Sequence, residues 1–442
     1  MRLKRPNFVF ILADDLGYAD LGCYGGRPRA AGARFDSCSP VLDRMAREGL
    51  RFTQGYANSS VCSPTRVALM TGRWQHRLRG GADEPIRTRE RGNPVLGLPP
   101  EHPTLPSLLR DAGYATALVG KWHLGFPPHF HPLKSGYQEF FGALSGGLDY
   151  FTHKDGAGVH DLWEGEKEAH VKGYLTDLIT ERAVRFIRRR RREPFFLSVH
   201  YTAPHWPWET RRDRAEAERI ASLYHFDGGS TATYYTMIRH MDEGIGRILA
   251  ALASAGIARD TLVVFTSDNG GERFSDTWPL VGKKMDLLEG GIRVPYIVRW
   301  PAVVKPGGIT AQQAITMDWV PTILEAAGVA PHSDYPPDGR SLLPVLRNPR
   351  RTFARELFWK MLYRSQKAMR AGDWKYLSIE GDEFLFNLAA DPRERANQAK
   401  REPSRLEAMR ARHAEWERSL PVFPDATYSV IGGKADLARP GS

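Results

Sequence analysis

Along the chain, short runs of β-branched and aromatic residues alternate with longer segments of helical periodicity. The clearest runs are "NFVFILADD", "YATALVGKWH", "PFFLSVHYTAPH" and "DTLVVFTSDNGG". Apolar runs of this length, closed by polar residues, predict buried strands. Their alternation with helices predicts a large, mostly parallel α/β sheet with helices on both faces. Beyond about residue 345 the pattern changes. "ELFWKML", "QKAMRAGDWKYLSI" and "DEFLFNL" read as short antiparallel strands, and "SRLEAMRARHAEWERS" as a charged helix. The expected organisation is a large domain over residues 1–345, closing near "DGRSLLPVLRNPRR", and a small α+β domain over 346–442 with an antiparallel sheet and a helix. No internal repeat or long low-complexity linker interrupts it.

Each of the four runs leads into polar groups: Asp14 and Asp15, Lys121 and His123, His205, and Asp268 and Asn269. The carboxyl ends of parallel strands share one edge of an open sheet, so residues some 250 positions apart can meet there. Singly, an Asp-Asp or Asp-Asn-Gly after a strand is ordinary turn chemistry. Together, Asp14, Asp15, Asp268 and Asn269 offer hard oxygens suited to Ca²⁺ or Mg²⁺, without the Cys and His ligands that zinc favours.

The stretch "NSSVCSPTRVALMTGR", residues 58–73, sets Cys62 in a polar loop before a short apolar helix. Pro64 stiffens the loop, and the free amides of the helix start favour an anion near position 62. Arg66 lies about one turn on and can point back to Cys62. On this local pattern alone an inert loop cysteine stays open.

Composition adds limits. The 442 residues hold three cysteines, Cys23, Cys38 and Cys62, without regular spacing, which argues against a disulfide framework and for a reducing compartment. In "MRLKRPNFVFILADD" the apolar run Phe8–Ala13 is short and stops at two aspartates, so it reads as a strand rather than an export signal. A cytoplasmic location is expected, or a periplasmic one if the start is truncated. No apolar run approaches the ~18 residues that span a bilayer. The formal charge of +11 suits an anionic partner, whether a polyanion or a small sulfate or phosphate ester. Arg188 to Arg192 could serve a non-catalytic polyanion binder. Without interleaved aromatics they read better as a solvated helix end, and neither nucleic acid nor membrane is an expected partner.

Here the residues resemble a family. Cys62-Ser63-Pro64-Thr65-Arg66 followed by Thr71-Gly72 is similar to C-x-P-x-R-x4-T-G, the signature of the type I sulfatases in the alkaline phosphatase superfamily. "GKWHLG" at Gly120–Gly125 resembles the second signature. "APHWP" at Ala203–Pro207, "SDNGG" at Ser267–Gly271, "KMDLLEGGIRVP" at Lys284–Pro295 and "AMRAGDWKYL…LFNLAADPRE" extend the likeness over nearly the whole chain.

The resemblance implies an alkaline-phosphatase-like fold and hydrolysis of aryl or carbohydrate sulfate monoesters. It implies that a maturation enzyme oxidises Cys62 to formylglycine, whose hydrate has one hydroxyl to attack sulfur and a second to expel sulfate later. It further implies one Ca²⁺ held by Asp14, Asp15, Asp268, Asn269 and the modified Cys62. Arg66 and His123 would bond the hydrate, with His123 as base. Lys121, Lys284 and His205 would contact the sulfate and the bridging oxygen, His205 assisting the departing oxygen. Related phosphatases use a second metal where Lys121 and Lys284 would stand. Phosphonate monoester or phosphodiester hydrolysis remains an alternative, because relatives with that activity share the cysteine signature. The loops Trp74–Pro100 and Gly146–His170 are the expected pocket walls. Trp206 and Trp208 could stack on a substrate ring or simply pack locally. Arg79, Arg87 and Arg89 could bind an acidic sugar. Oligomeric state is left open.

Overall fold

The structure is a computed structural model and describes residues 5–25, 38–190 and 192–429. Its strands in the first part of the chain are β1 (Asn7–Ala13), β2 (Leu50–Phe52), β3 (Gly55–Tyr56), β4 (Ala115–Gly120), β5 (Glu139–Gly142), β6 (Trp163–Glu164), β7 (Lys167–Glu168) and β8 (Phe195–His200). Then come β9 (Thr261–Ser267), β10 (Tyr296–Arg299), β11 (Gly308–Thr310), β12 (Ala314–Ile315), β13 (Glu356–Met361), β14 (Gln366–Ala371), β15 (Trp374–Ile379) and β16 (Asp382–Asn387).

Ten strands form the large sheet in the order β11-β2-β10-β9-β1-β8-β4-β5-β6-β7. At its centre β1 runs parallel to both β8 and β9, and β4 runs parallel to β8 and β5. β10 is antiparallel to β9 and β2, which makes the sheet mixed. Strand periodicity explains the layers. Phe8, Phe10 and Leu12 enter one core with Trp319 and Ile323, whereas Val9, Ile11 and Ala13 enter the opposite core with residues of the helices Leu175–Arg190 and Thr231–Ser254. Every residue of β1, β4, β8 and β9 is buried, as expected of strands covered on both faces. Their carboxyl ends therefore open on one shared edge.

The arginine run begins inside the helix that ends at Arg190. Arg189 and Arg190 both pair with Glu139 on β5, as a charged helix end lying over the sheet would; Arg191 lies outside the described residues.

A second sheet, β13-β14-β15-β16, is antiparallel throughout and is followed by the helix Pro403–Arg418. It shares a third core with the large sheet's side of the molecule, in which Tyr56, Val61, Ala68 and Met285 pack with Phe358, Trp359, Leu377 and Trp416. Polar groups cross the same boundary. Lys375 Nζ lies 3.1 Å from Glu289 Oε1 and 2.8 Å from Glu394 Oε1, all three side chains being buried. Tyr56 Oη donates to Glu289 Oε2 at 2.8 Å. Lys375→Met would leave two buried carboxylates without their shared cation, and such a loss typically costs about 3 kcal/mol. The expected result is a clearly lower urea midpoint with the native circular dichroism spectrum retained below it.

Candidate active site

The site is built from the carboxyl ends of four strands and the first turn of one helix. That helix, Cys62–Thr71, starts at Cys62 itself, so the cysteine belongs to the first turn rather than to a loop before it. All ten of its residues are buried, so it shows no solvent-facing polar stripe, and its polar side chains, Arg66 above all, find their partners inside the protein. Pro64 fits because amides in the first turn have no intrahelical acceptor to lose. Gly72 closes the helix at φ 70°, where its amide donates to the Ala68 carbonyl at 2.9 Å. A Cβ there would lie 2.7 Å from Cβ of Val320, so both conformation and space demand glycine.

Arg66, one turn beyond Cys62, ties the helix to the sheet. Its Nε donates to Asp268 Oδ2 at 3.0 Å, Nη2 lies 2.8 Å from the same oxygen, and Nη1 donates to the Lys121 carbonyl at 3.1 Å. Lys121 Nζ donates to Asp14 Oδ2 at 2.6 Å, and Lys284 Nζ to Asp15 Oδ2 at 2.7 Å. Asn269 Nδ2 donates to Asp15 Oδ1 at 2.7 Å. Asp15 and His123 both adopt φ 60°, a left-handed conformation that non-glycine residues rarely hold, and each turns its side chain sharply off a strand end.

Three carboxylates meet three cations here, yet two oxygens are left over: Asp14 Oδ1 and Asn269 Oδ1 are buried with no hydrogen-bond partner. Burial and the neighbouring Asp14 charge push the Asp268 carboxyl up to about 7. Burial also works against ionised Asp15, but Lys284 and then His205 hold it down at about 2. Ligand atoms of Asp14, Asp15, Cys62 and His205 lie within 4.8 Å of one another. Crowded carboxylates with orphaned oxygens suit a hard divalent cation, which would compete with the two ammonium groups for Asp14 and Asp15.

The histidines differ in tautomer. His123 Nε2 lies 2.8 Å from the Ile86 carbonyl, which can only accept, so Nε2 carries the proton and the unpartnered Nδ1 carries the lone pair. Burial and then Lys121 drive its pKa well below the usual value. The Ile86 amide in turn donates to Ser63 Oγ at 2.9 Å, which links the cysteine turn to the histidine. Gly146 must be small, because a Cβ would lie 2.4 Å from His123 Cε1. His205 Nδ1 donates to the Trp206 carbonyl at 2.7 Å and turns Nε2 toward Asp15 Oδ2 at 3.5 Å. Burial, opposed by Asp15, lowers its pKa to about 3.

Of these groups, Cys62, His123, His205 and Lys284 line a cavity of about 300 Å³, together with Trp206. Both expected wall loops contribute, through Pro85 to Arg89 and through Gly146, Gly147 and Gly156. Trp206 lines the cavity, its ring 4.6 Å from that of Tyr224. Trp208 instead packs against Phe274 and under Arg273. Arg87 and Arg89 reach the cavity, while Arg79 is occupied by Asp83 and Asp425. Sequence reasoning missed several contributors, among them Leu223 and Tyr224, which reach the cavity from a separate loop. Ile86 acts through its backbone, which no side-chain pattern reveals. Ser429 lines the cavity because Glu84 pairs with Thr427 and Ser429, and nothing local to residue 429 signals that. Glu272 was within reach of inspection, three residues after Asn269.

Burial pushes the Cys62 thiol up to about 12, despite Lys121 and Lys284 nearby. As an unmodified thiol it should be almost inert: at pH 8 it holds on the order of a thousandfold less thiolate than an unperturbed cysteine. Peptide mapping after iodoacetamide is expected to find any unmodified Cys62 unlabelled in the native protein and labelled after guanidinium unfolding.

The family description Sulfatase matches residues 6–329, and N-sulphoglucosamine sulphohydrolase, C-terminal, matches residues 278–413. N-acetylgalactosamine-6-sulfatase of Rattus norvegicus is 36% identical over 364 residues, covering 77% of this chain and 66% of that protein. Steryl-sulfatase of Mus musculus is 33% identical over 430 residues, covering 78% and 65%. The chain thus spans about two thirds of the length of these relatives. Among solved structures, Ps i-CgsB in complex with k-i-k-neocarrahexaose superposes with a TM-score of 0.83 at 29% identity, covering 99% of this chain and 98% of that one. The chain belongs to the sulfatase family.

Proposed function

We propose that this protein hydrolyses sulfate monoesters carried on saccharides. The observation that carries the reading is the meeting, at one cavity wall, of Cys62 at a helix start with Lys284, His123 and His205, backed by the buried contacts of Lys121 with Asp14 and of Lys284 with Asp15. A saccharide substrate is supported by the names of the N-acetylgalactosamine-6-sulfatases and by the hexaose held in Ps i-CgsB.

Cys62 fits maturation to formylglycine, since the buried thiol is a poor nucleophile while the hydrated aldehyde supplies a hydroxyl in its place. Asp14, Asp15, Asp268 and Asn269, with matured Cys62, would hold Ca²⁺, which supplies charge that favours an ionised oxygen and neutralises sulfate oxygens. The remaining steps belong to the chain's own side chains. Arg66 fixes the first helical turn against Asp268, so position 62 is held still. His123 Nδ1 accepts a proton from the group at position 62, with Nε2 anchored on Ile86. Lys121 and Lys284 present ammonium groups to the sulfate oxygens, where charge grows as the S–O bond breaks. Burial disfavours the charged form of His205. A sulfate beside it favours the imidazolium, and Nε2 then delivers a proton to the departing sugar oxygen. Burial of the whole set strengthens each of these contacts.

The test is a kinetic panel of saccharide sulfates, aryl sulfates, phosphodiesters and phosphonate monoesters. Saccharide sulfates are expected to give the highest kcat/KM, with Cys62→Ala lowering it to background. Preference for a phosphonate monoester, or full activity in Cys62→Ala, would overturn the reading. The metal is checked without turnover. At about 100 times its dissociation constant, Ca²⁺ adds roughly 2.7 kcal/mol to stability. EGTA is therefore expected to lower the thermal midpoint of the wild type and readdition of Ca²⁺ to restore it, with Asp14→Asn showing a much smaller response.

A further inference from the structure

The proposed chemistry leaves one buried carboxyl group without a task, and burial pushes its pKa up to about 7. Glu272 follows the Asp268-Asn269-Gly-Gly turn, is 6% exposed, and lines the same cavity as Cys62. Neither of its carboxylate oxygens has a hydrogen-bond partner. Lys284, whose charge acts on it, gives its ammonium to Asp15 instead. A buried acceptor left unsatisfied is destabilising, so its persistence at a cavity wall points to a donor that arrives with the ligand.

The company of Glu272 narrows the ligand. Trp206 and Tyr224, in ring contact, give the cavity an aromatic surface, and both line it beside Glu272. A pyranose ring matches this combination, with C–H groups to lay on aromatic faces and hydroxyl groups around its edge. An ionised carboxylate only accepts, and its two oxygens can take two neighbouring hydroxyl donors at once. An aryl or steryl group brings no such donors and would leave the carboxylate unpaired. We propose that Glu272 is a specificity-determining residue that accepts hydrogen bonds from hydroxyl groups of the sulfated sugar, selecting a polyol ring over an aryl or steryl group. The inference rests on the sulfatase reading and deepens it.

The experiment compares wild type, Glu272→Gln and Glu272→Ala on 4-nitrophenyl sulfate and on the best hydrolysed of galactose 6-sulfate, N-acetylgalactosamine 6-sulfate and N-acetylgalactosamine 4-sulfate. The readout is the ratio of kcat/KM for saccharide over aryl ester. Loss of a buried hydrogen bond to a charged acceptor is expected to lower that ratio on the order of 10- to 100-fold in Glu272→Ala. Glu272→Gln, which keeps the shape and one acceptor, should lose less and serves if the alanine variant does not fold. A deoxy analogue of the same sugar sulfate, lacking the hydroxyl beside the ester, should be poorer for wild type but no poorer for Glu272→Ala. An unchanged ratio in both variants, or an equal deoxy penalty in wild type and Glu272→Ala, would overturn the assignment while leaving the sulfatase reading intact. A wild type inert toward every ester would overturn the sulfatase reading, and this inference with it.

Discussion

Buried carboxylates held together against their mutual repulsion are the constraint on which this molecule turns. Asp14, Asp15 and Asp268 sit side by side because β1 and β9 are adjacent and in register, and each is fully removed from water. Such a cluster is tolerable only with compensating charge at contact distance. Arg66 reaches it from a helix, Lys121 from the end of β4 and Lys284 from a loop after β9. The surroundings follow from that need. The Cys62 helix is wholly buried because Arg66 must reach the sheet, and Gly72 ends it in the one conformation that lets the chain leave beneath Val320.

Much of this was legible in the residues, for a physical reason. Strands buried on both faces write themselves as unbroken apolar runs, and a parallel arrangement sends their polar termini to one edge. Asp14, Lys121, His205 and Asp268 could therefore be grouped before any coordinate was known. What stayed hidden travels through the backbone or across long loops. The Ile86 carbonyl sets the His123 tautomer, yet any residue at position 86 carries a carbonyl. Trp206 and Trp208 are two residues apart and look equivalent in sequence. Only packing separates the ring that lines the cavity from the one that fills the space beneath Arg273.

The antiparallel sheet β13–β16 has its own pairing, but Tyr56, Met285 and Ile292 complete its core, and Glu289 shares Lys375 with Glu394. The helix that presents Cys62 touches that same core through Ala68, and the residue before it, Val61, does so too. Stability of the small sheet and placement of the cysteine are thus two aspects of one packing problem.

The contact between Glu84 and residues 427–429 carries a consequence for the order in which the protein is made. Asp14 leaves the ribosome hundreds of residues before the Ser429 wall of the cavity. Until that stretch emerges, the anionic cluster can form but the chamber around it stays open on one side. Assembly of the reaction centre and its enclosure are separate events in time, and a nascent chain, or one clipped before Thr427, has the first without the second.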